Sequence, residues 1–386
     1  MDLNERNSTT RDVQVSKEAL DLPVEITSDI FCRLPIESIL RCKSVCKTWY
    51  GITRDPYFIS ELLNSHHQPS RLILKPLHGK DPSNTSSHLV LVDLEEHKTR
   101  CIPTEKSLLG LRIMCACNGL LCLALEKKVS PVVIYNPITG EQVELPSSAS
   151  KHTLRDRRVG LGFDISSGKY KVVNAYSILC HNVSITKFEV ITLGDESWRE
   201  IIVPDSLTNL SVVGVVFSNG SLYWKLLNDH HGVIAIHIFG FNLSEEKLDF
   251  IHVWEERVPL DLMDLGGHLT VVERFAGRIK IWRLTGSTKE GNQTFCLERD
   301  YEMRVMWGSA LYYSVITESD DNSFLLKVGY RSRNFQQFEH LTWYFPWRTL
   351  YEYLDIPGLP QRFYAVCFKP SLVSPVAPPT RSSRDL

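Results

Sequence analysis

Apolar positions along this chain follow two different rhythms. From Leu22 to about Phe58 the rhythm is helical: Ile26, Ile30, Phe31 and Leu34 stand at i, i+4, i+5 and i+8, one face of a helix. Pro23 suits a first helical turn, and Pro35 ends that helix and starts a second carrying Ile36, Ile39 and Leu40. Val45, Trp49 and Ile52 at i, i+4 and i+7 mark a third. Three short helices in roughly forty residues cannot bury this much apolar surface among themselves. The spacing therefore predicts an exposed patch of Leu22, Pro23, Ile26, Leu34, Pro35 and Val45, which marks a protein interface.

From about Arg71 the rhythm becomes alternating, and one pattern recurs: an apolar strand, a short turn rich in Asn, Gly, Asp or Glu, then a second strand. LVLVDLEEHKTRCIP from Leu89, VVIYNPITGEQVELP from Val132 and FEVITLGDESWREIIVP from Phe188 are examples. Each after the first is preceded by another hairpin, such as RIMCACNGLLCLA from Arg112 or VVGVVFSNGSLYWKL from Val212. The resulting four-stranded units begin near residues 111, 158, 211, 261 and 310. Kelch-type propeller blades repeat at about 50 residues, so the spacing predicts a β-propeller rather than a sandwich.

The two ends of this region complement each other. RLILKP from Arg71 and the hairpin from Leu89 supply three strands that lack a first, while RFYAVCFKP from Arg362 is a lone strand. The expected architecture is six blades, with the C-terminal strand completing the N-terminal blade and leaving no open edge. The fold class is thus α+β multidomain: a small three-helix head, then a mainly-β domain that forms a six-bladed β-propeller closed by the C-terminal strand.

Composition narrows the partners. With 386 residues, 23% charged and a formal net charge of -2, nothing global points to nucleic acid or a membrane as a partner. The polar N-terminus carries no apolar segment of signal-peptide length, so cytoplasm and/or nucleus is the expected location. Ten cysteines are then expected as free thiols.

Candidate chemistry is sparse. RCKSVCKTW (41–49) places Cys42 and Cys46 four residues apart among basic residues, which suits a reactive thiol or half a metal site, yet no His or Cys pair nearby completes four ligands. Cys115, Cys117 and Cys122 flank an Asn-Gly turn at Asn118-Gly119 and read as buried core thiols. GLGFDISSG misses the dinucleotide spacing, and no nucleophile elbow, phosphate loop or protease zinc helix occurs. No catalytic residue, cofactor or metal is expected.

Residues 22–58 resemble an F-box. They carry Leu22-Pro23, Leu34-Pro35, Leu40-Arg41 and Val45-Cys46-Lys47-Thr48-Trp49 at that family's spacing. The resemblance implies docking to the SKP-type adaptor and, through it, the cullin and RING subunits of an SCF ubiquitin ligase. Carried over by position, the adaptor-binding residues are Leu22, Pro23, Ile26, Ile30, Leu34, Pro35, Leu40, Val45, Cys46 and Trp49. On this reading Cys46 is a small apolar contact rather than a reactive thiol.

The β region is similar to the kelch-like F-box-associated interaction domain of plants. The matching stretches are CNGLLCL (117–123), YNPITGE (135–141), LGFDISSGKYKVV (161–173), SWRE (197–200), FSNGSLYW (217–224) and KPSLVSP (369–375). The pattern departs at a polar insertion after GGHLTVVERFAGRIKIW and at WYFPWRTLYEYLD. Expected boundaries are a disordered arm over 1–20, the F-box over 21–62, the propeller over 71–375 and a disordered tail over 376–386.

Propeller ligands are expected on the loops between blades and between second and third strands. Basic and aromatic residues there are the candidates for binding an unknown protein substrate: Arg155, Arg157 and Arg158 on one loop, and Trp254, Arg274, Phe275, Arg304, Trp307, Arg331 and Arg333 on others. They suit an acidic or phosphorylated segment, although a solvated surface with paired acids is the plainer reading. The combined reading is a substrate-recognition subunit of the ligase. Two alternatives stay open, a propeller enzyme with an interaction head and an adaptor-bound scaffold acting outside ubiquitination.

Overall fold

The computed structural model describes residues 22–376, except 66–70, 78–87, 127, 129, 149–153, 181–182, 204–209, 231–232, 255–259, 276–277, 290–291, 305–309 and 332–336. The expected arm over 1–20 and residues 377–386 of the expected tail lie outside the described residues. The chain divides into two compact units, residues 1–67 and 68–386.

The first unit holds α1 (Val24–Cys32), α2 (Ile36–Cys42), α3 (Lys47–Ile52) and α4 (Pro56–Asn64). Pro23 and Pro35 stand immediately before α1 and α2, where a missing N–H costs nothing. Two features differ from the sequence reading. First, α3 begins only at Lys47, so Val45 and Cys46 precede it, and Cys46 Sγ accepts the Trp49 N–H at 3.5 Å as a weak cap. Second, a fourth helix is present. Asp55 accepts the Tyr57 N–H at 3.2 Å, Pro56 fills the first turn, and Phe58 and Leu62, four apart, enter the core. That core also contains Phe31, Ile36, Ile39 and Ile52.

Six four-stranded antiparallel sheets form the second unit. Numbered from the N-terminal blade, their innermost strands are Phe363–Phe368, Arg112–Cys117, Leu154–Asp164, Leu210–Ser218, Leu260–Leu265 and Ala310–Glu318. Each innermost strand packs beside the next around a complete ring. Strand Phe363–Phe368 pairs with Arg71–Pro76 in the register Leu72↔Cys367, Ile73↔Val366, Leu74↔Ala365, so the C-terminal strand closes the first blade as its length and position predicted. The polar insertion lengthens an outer hairpin of blade 5, whose strands Arg278–Lys289 and Asn292–Arg304 pair along their whole length.

The inner strands are buried on both faces where a blade lies between two neighbours. In Arg71–Pro76, Ile73 packs with Leu121 and Leu123 of blade 2, while Leu72 and Leu74 pack with Leu325 and Leu341 of blade 6. RLILKP is therefore apolar at successive positions rather than on one side only. Close packing also fixes two glycines of the third innermost strand. A Cβ on Gly160 would lie 2.8 Å from Leu222, and one on Gly162 2.5 Å from Leu243.

Several family-like stretches turn out to be one cluster. Asn118 and Gly119 form the left-handed turn of the first hairpin in blade 2, with φ of 49° and 79°. Asn136 is fully buried; its Oδ1 accepts the Ile138 N–H at 2.8 Å and its Nδ2 donates to the carbonyls of Ser371 and Val373 at 3.0 and 2.8 Å. Ser371 Oγ donates to the Asn118 carbonyl at 2.7 Å. KPSLVSP thus fastens the end of the closing strand onto blade 2, using CNGLLCL and YNPITGE as its seat. Trp198 of SWRE makes a similar tie, its Nε1 donating to the Pro146 carbonyl at 2.7 Å.

Candidate docking and recognition surfaces

In the helical head, core and surface use different apolar residues. Leu22, Pro23, Ile26, Ile30, Pro35, Val45 and Cys46 are exposed, and Leu34, Leu40 and Trp49 are half-buried. Val45 is 64% exposed and Ile26 49%, values that free solvent penalises for side chains of this kind. Trp49 serves the head itself, meeting Phe31 edge to face at 5.1 Å.

In the propeller, the basic loop expected around residues 155–158 is instead a strand, since the third innermost strand starts at Leu154. Neighbouring side chains on a strand point to opposite faces, which separates Arg157 from Arg158. Arg157 is fully buried: Nε donates to Asn174 Oδ1 at 2.7 Å, Nη1 donates to the Lys128 carbonyl, and burial pushes the guanidinium down to about 10. It is a core residue, and its assignment to a recognition surface is corrected. Arg331 is exposed at the end of the second strand of blade 6. The side chains of Arg155, Trp254, Phe275 and Arg304, together with Trp307 and Arg333, lie outside the described residues.

Arg158 and Arg274 join a network at the N-terminal ends of the innermost strands, the face where blades connect. Glu126 accepts from Arg112 and, at 3.2 Å, from Arg158. Arg158 Nε also donates to the Val213 carbonyl of blade 4 at 3.2 Å. Asp261 is paired with Lys225 at 3.4 Å and with Arg274, whose Nη1 donates to the Tyr313 carbonyl of blade 6 at 2.6 Å. Lys327 donates to the Phe363 carbonyl of blade 1 at 3.1 Å and lies 3.6 Å from Glu339, which also accepts from Tyr312. The circuit closes where the Arg112 guanidinium lies 4.4 Å from the centroid of the Tyr364 ring. Burial lowers Arg158, Lys225 and Lys327 from their ordinary values.

Arg112, Lys225 and Lys327 were not foreseen. For the two lysines a signal was in the sequence: a lysine inside an otherwise apolar strand, as in SLYWKLL and FLLKVGY, needs a partner, though the pattern does not say which. Part of this circuit is structural. From second strands, Lys75 and Ser177 also reach the next blade, donating to the carbonyls of Leu111 and Leu210. Such bonds tie each blade to its successor.

Blade 6 carries a concave feature. A cleft of about 500 Å³ is lined by Tyr330, Phe338, His340, Tyr353 and residues up to Gln361. Tyr330 stacks on Phe338 and His340 at 5.5 and 4.7 Å, and His340 meets Tyr353 edge-on at 4.9 Å. Burial lowers the His340 pKa, favouring the neutral ring. The aromatic density of FEHLTWYFPWRTLYEY was its signal.

Cys115, Cys117 and Cys122 are buried free thiols. Cys115 Sγ accepts the Leu161 N–H at 3.0 Å and lies 3.6 Å from the Val159 carbonyl, bridging blades 2 and 3. Burial pushes the Cys117 thiol up; the hydrogen bond with Cys115 and then burial do the same to Cys122. These thiols pack rather than react.

A helical head with apolar residues left at its surface, followed by a closed propeller, defines the class of two-domain protein to which this chain belongs. The chain belongs to the F-box associated beta propeller domain family, whose model matches residues 73–340, and an F-box-like model matches residues 19–64. The matched propeller span stops before the closing strand. Among relatives in Arabidopsis thaliana, F-box protein At5g49610 is 27% identical over 282 residues, 68% of this chain and 75% of that protein. F-box protein At3g07870 is 33% identical over 159 residues, 39% of this chain and 36% of that protein. Among solved structures, the Cps50 (Swd1) beta-propeller domain from Myceliophteria thermophila is 9% identical with a TM-score of 0.38, over 70% of this chain and 79% of that one. So distant a likeness carries no functional argument.

Proposed function

We propose that this chain is the substrate-recognition subunit of an SCF-type cullin-RING ubiquitin ligase. Its F-box docks onto an SKP-type adaptor, and through it the cullin and RING subunits, while the propeller holds the protein to be ubiquitinated. The observation that carries this reading is the division of labour in the head: Phe31, Ile36, Ile39, Phe58 and Leu62 form its core, while Leu22, Ile26 and Val45 remain exposed. The chain carries no covalent chemistry of its own. It works in the cytoplasm or nucleus and raises the effective concentration of target lysines near the charged thioester.

Affinity capture of the full chain, with and without proteasome blockade, tests this. Adaptor and cullin should co-purify, and a further partner should accumulate only when degradation stops. Capture without adaptor and cullin contradicts the reading. Their capture with a partner set insensitive to the proteasome marks a scaffold instead.

A further inference from the structure

The cleft on blade 6 joins a group of aromatic rings to a stretch of fixed backbone. Tyr330 stands nearly parallel to Phe338 and His340, with interplanar angles of 18° and 17°, and Tyr353 is turned 67° to His340. Phe338 is 40% exposed and Tyr353 60%, which leaves much aromatic surface in water. The rest of the lining comes from the connection between blades 6 and 1, which is pinned along its length. The Leu354 N–H donates to the Leu341 carbonyl at 3.1 Å, and the Glu339 N–H donates to the Gln361 carbonyl at 2.7 Å. Between them, Thr99 Oγ1 of blade 1 donates to the Pro357 carbonyl at 2.7 Å. Gly358 makes the turn at a φ of 81°, and a Cβ there would lie 2.6 Å from Thr99 Oγ1. The cleft is thus formed before any ligand arrives, which lowers the entropy lost on binding.

We infer that this cleft is a docking site for an uncharged, proline-rich segment of a partner protein. Charge decides the class of ligand. Glu339 is the one carboxylate among the described lining residues, and its oxygens already accept from Tyr312 and the Phe363 N–H, with Lys327 3.6 Å away. Burial holds His340 toward its neutral form. Neither a cation nor an anion therefore finds a counter-charge in the lining, and the exposed rings remain as the binding surface. Proline-rich segments dock on such aromatic surfaces, because the polyproline II helix is already extended and loses little entropy on binding. That helix has no internal hydrogen bonds, so its carbonyls need donors, and the Tyr353 hydroxyl and the exposed Gln361 amide line the cleft to supply them. A pocket for a small molecule encloses about 70 to 90% of its ligand. With Phe338 and Tyr353 this exposed, the cleft is a shelf that suits a segment passing across it. It serves a receptor and a scaffold alike, so its occupant is independent of the receptor reading.

Fluorescence anisotropy with the full chain tests this, using labelled peptides that carry two prolines separated by two uncharged residues, and the same peptides with alanine in place of both prolines. The proline peptides should bind more tightly than the alanine ones, with little change as salt rises. Phe338→Ala with Tyr353→Ala should weaken binding more than about tenfold, as expected when aromatic anchors are truncated. Tyr353→Phe should weaken it far less, and Trp347→Ala, an exposed aromatic outside the lining, should leave it unchanged. Melting temperature confirms that each variant is folded, and Tyr353→Ala alone, at the more exposed ring, gives the same reading if the double variant does not fold. Equal binding of the alanine peptides, undiminished binding by the folded variants, or tighter binding of trimethyl-lysine or phosphoserine peptides overturns the inference. Binding that appears only after deletion of residues 377–386, which include Pro378 and Pro379, assigns the cleft to the chain's own tail and overturns it too. So does a dimer of the wild-type chain that the double variant abolishes.

Discussion

Phe31 of α1 and Trp49 of α3 meet edge to face, their ring centroids 5.1 Å apart, and Phe58 of α4 also meets Phe31 edge to face at 6.3 Å. Trp49 therefore holds the head together as well as lying at its surface. Trp49→Ala should destabilise the head by about 3 kcal/mol, the usual cost of emptying a large aromatic site. Val45→Asp and Ile26→Asp, at exposed positions, should shift stability by no more than about 0.5 kcal/mol. Chemical denaturation of the full chain, followed by the helical circular-dichroism signal, which the head supplies, separates the two classes.

The propeller is closed by a strand and then fastened by a latch, and the two can be removed separately. Asn136→Ala loses two bonds to the Ser371 and Val373 carbonyls and two to its own turn, which at about 1 kcal/mol each lowers stability by about 2 to 4 kcal/mol. Truncation after Phe368 should leave a folded but less stable ring. Truncation before Phe363 removes the innermost strand of blade 1 and should unfold the domain. Limited proteolysis of the truncations orders them; a protease-resistant propeller lacking residues 360–386 contradicts the closure.

Asp164 makes acid stability a local matter. Burial pushes its carboxyl up, but hydrogen bonds from Ser244 at 2.6 Å and from Ser167 and Ser166 at 2.7 Å, with Lys171 3.2 Å away, hold it well below its ordinary 3.8. A depressed carboxylate contributes stability fully above its ordinary value, and that contribution is lost as pH falls toward the folded value. Asp164→Asn should cost about 3 kcal/mol at neutral pH, and the gap between variant and wild type should narrow below pH 3.8. Melting temperatures across that range provide the check.

Arg157 and Arg158 are adjacent in sequence and opposite in role. Arg157→Ala leaves the Asn174 side chain and the Lys128 carbonyl without their donor and should cost about 3 kcal/mol of stability. Arg158→Ala, partly exposed and sharing Glu126 with Arg112, should cost about 1 kcal/mol. Urea denaturation of both variants distinguishes them, and equal costs contradict the assignment of faces.

Much of this architecture was readable because it depends on period and spacing. Innermost strands begin at 112, 154, 210, 260 and 310, close to the starts expected from the hairpin repeat, and the unpaired RLILKP and RFYAVCFKP found each other. The fourth helix was missed although Asp55-Pro56 is a start signal, because only Phe58 was read as apolar periodicity and Leu62 was not. The recognition face was less legible. A run of arginines looks like a loop, and only strand register shows that Arg157 points inward while Arg158 points to the circuit. Lys225 and Lys327 join Arg112 and Arg274 through inter-blade pairing, which no local pattern encodes.

The most direct test of the account is adaptor capture by the full chain and by Ile26→Asp and Val45→Asp. Purified wild-type protein should hold an SKP-type adaptor in a stable complex, and each variant, with its melting behaviour unchanged, should bind more than about tenfold more weakly, as expected when a charge enters a desolvated apolar contact. Folded variants that retain wild-type affinity, or a wild-type chain that captures no adaptor, would contradict the central claim.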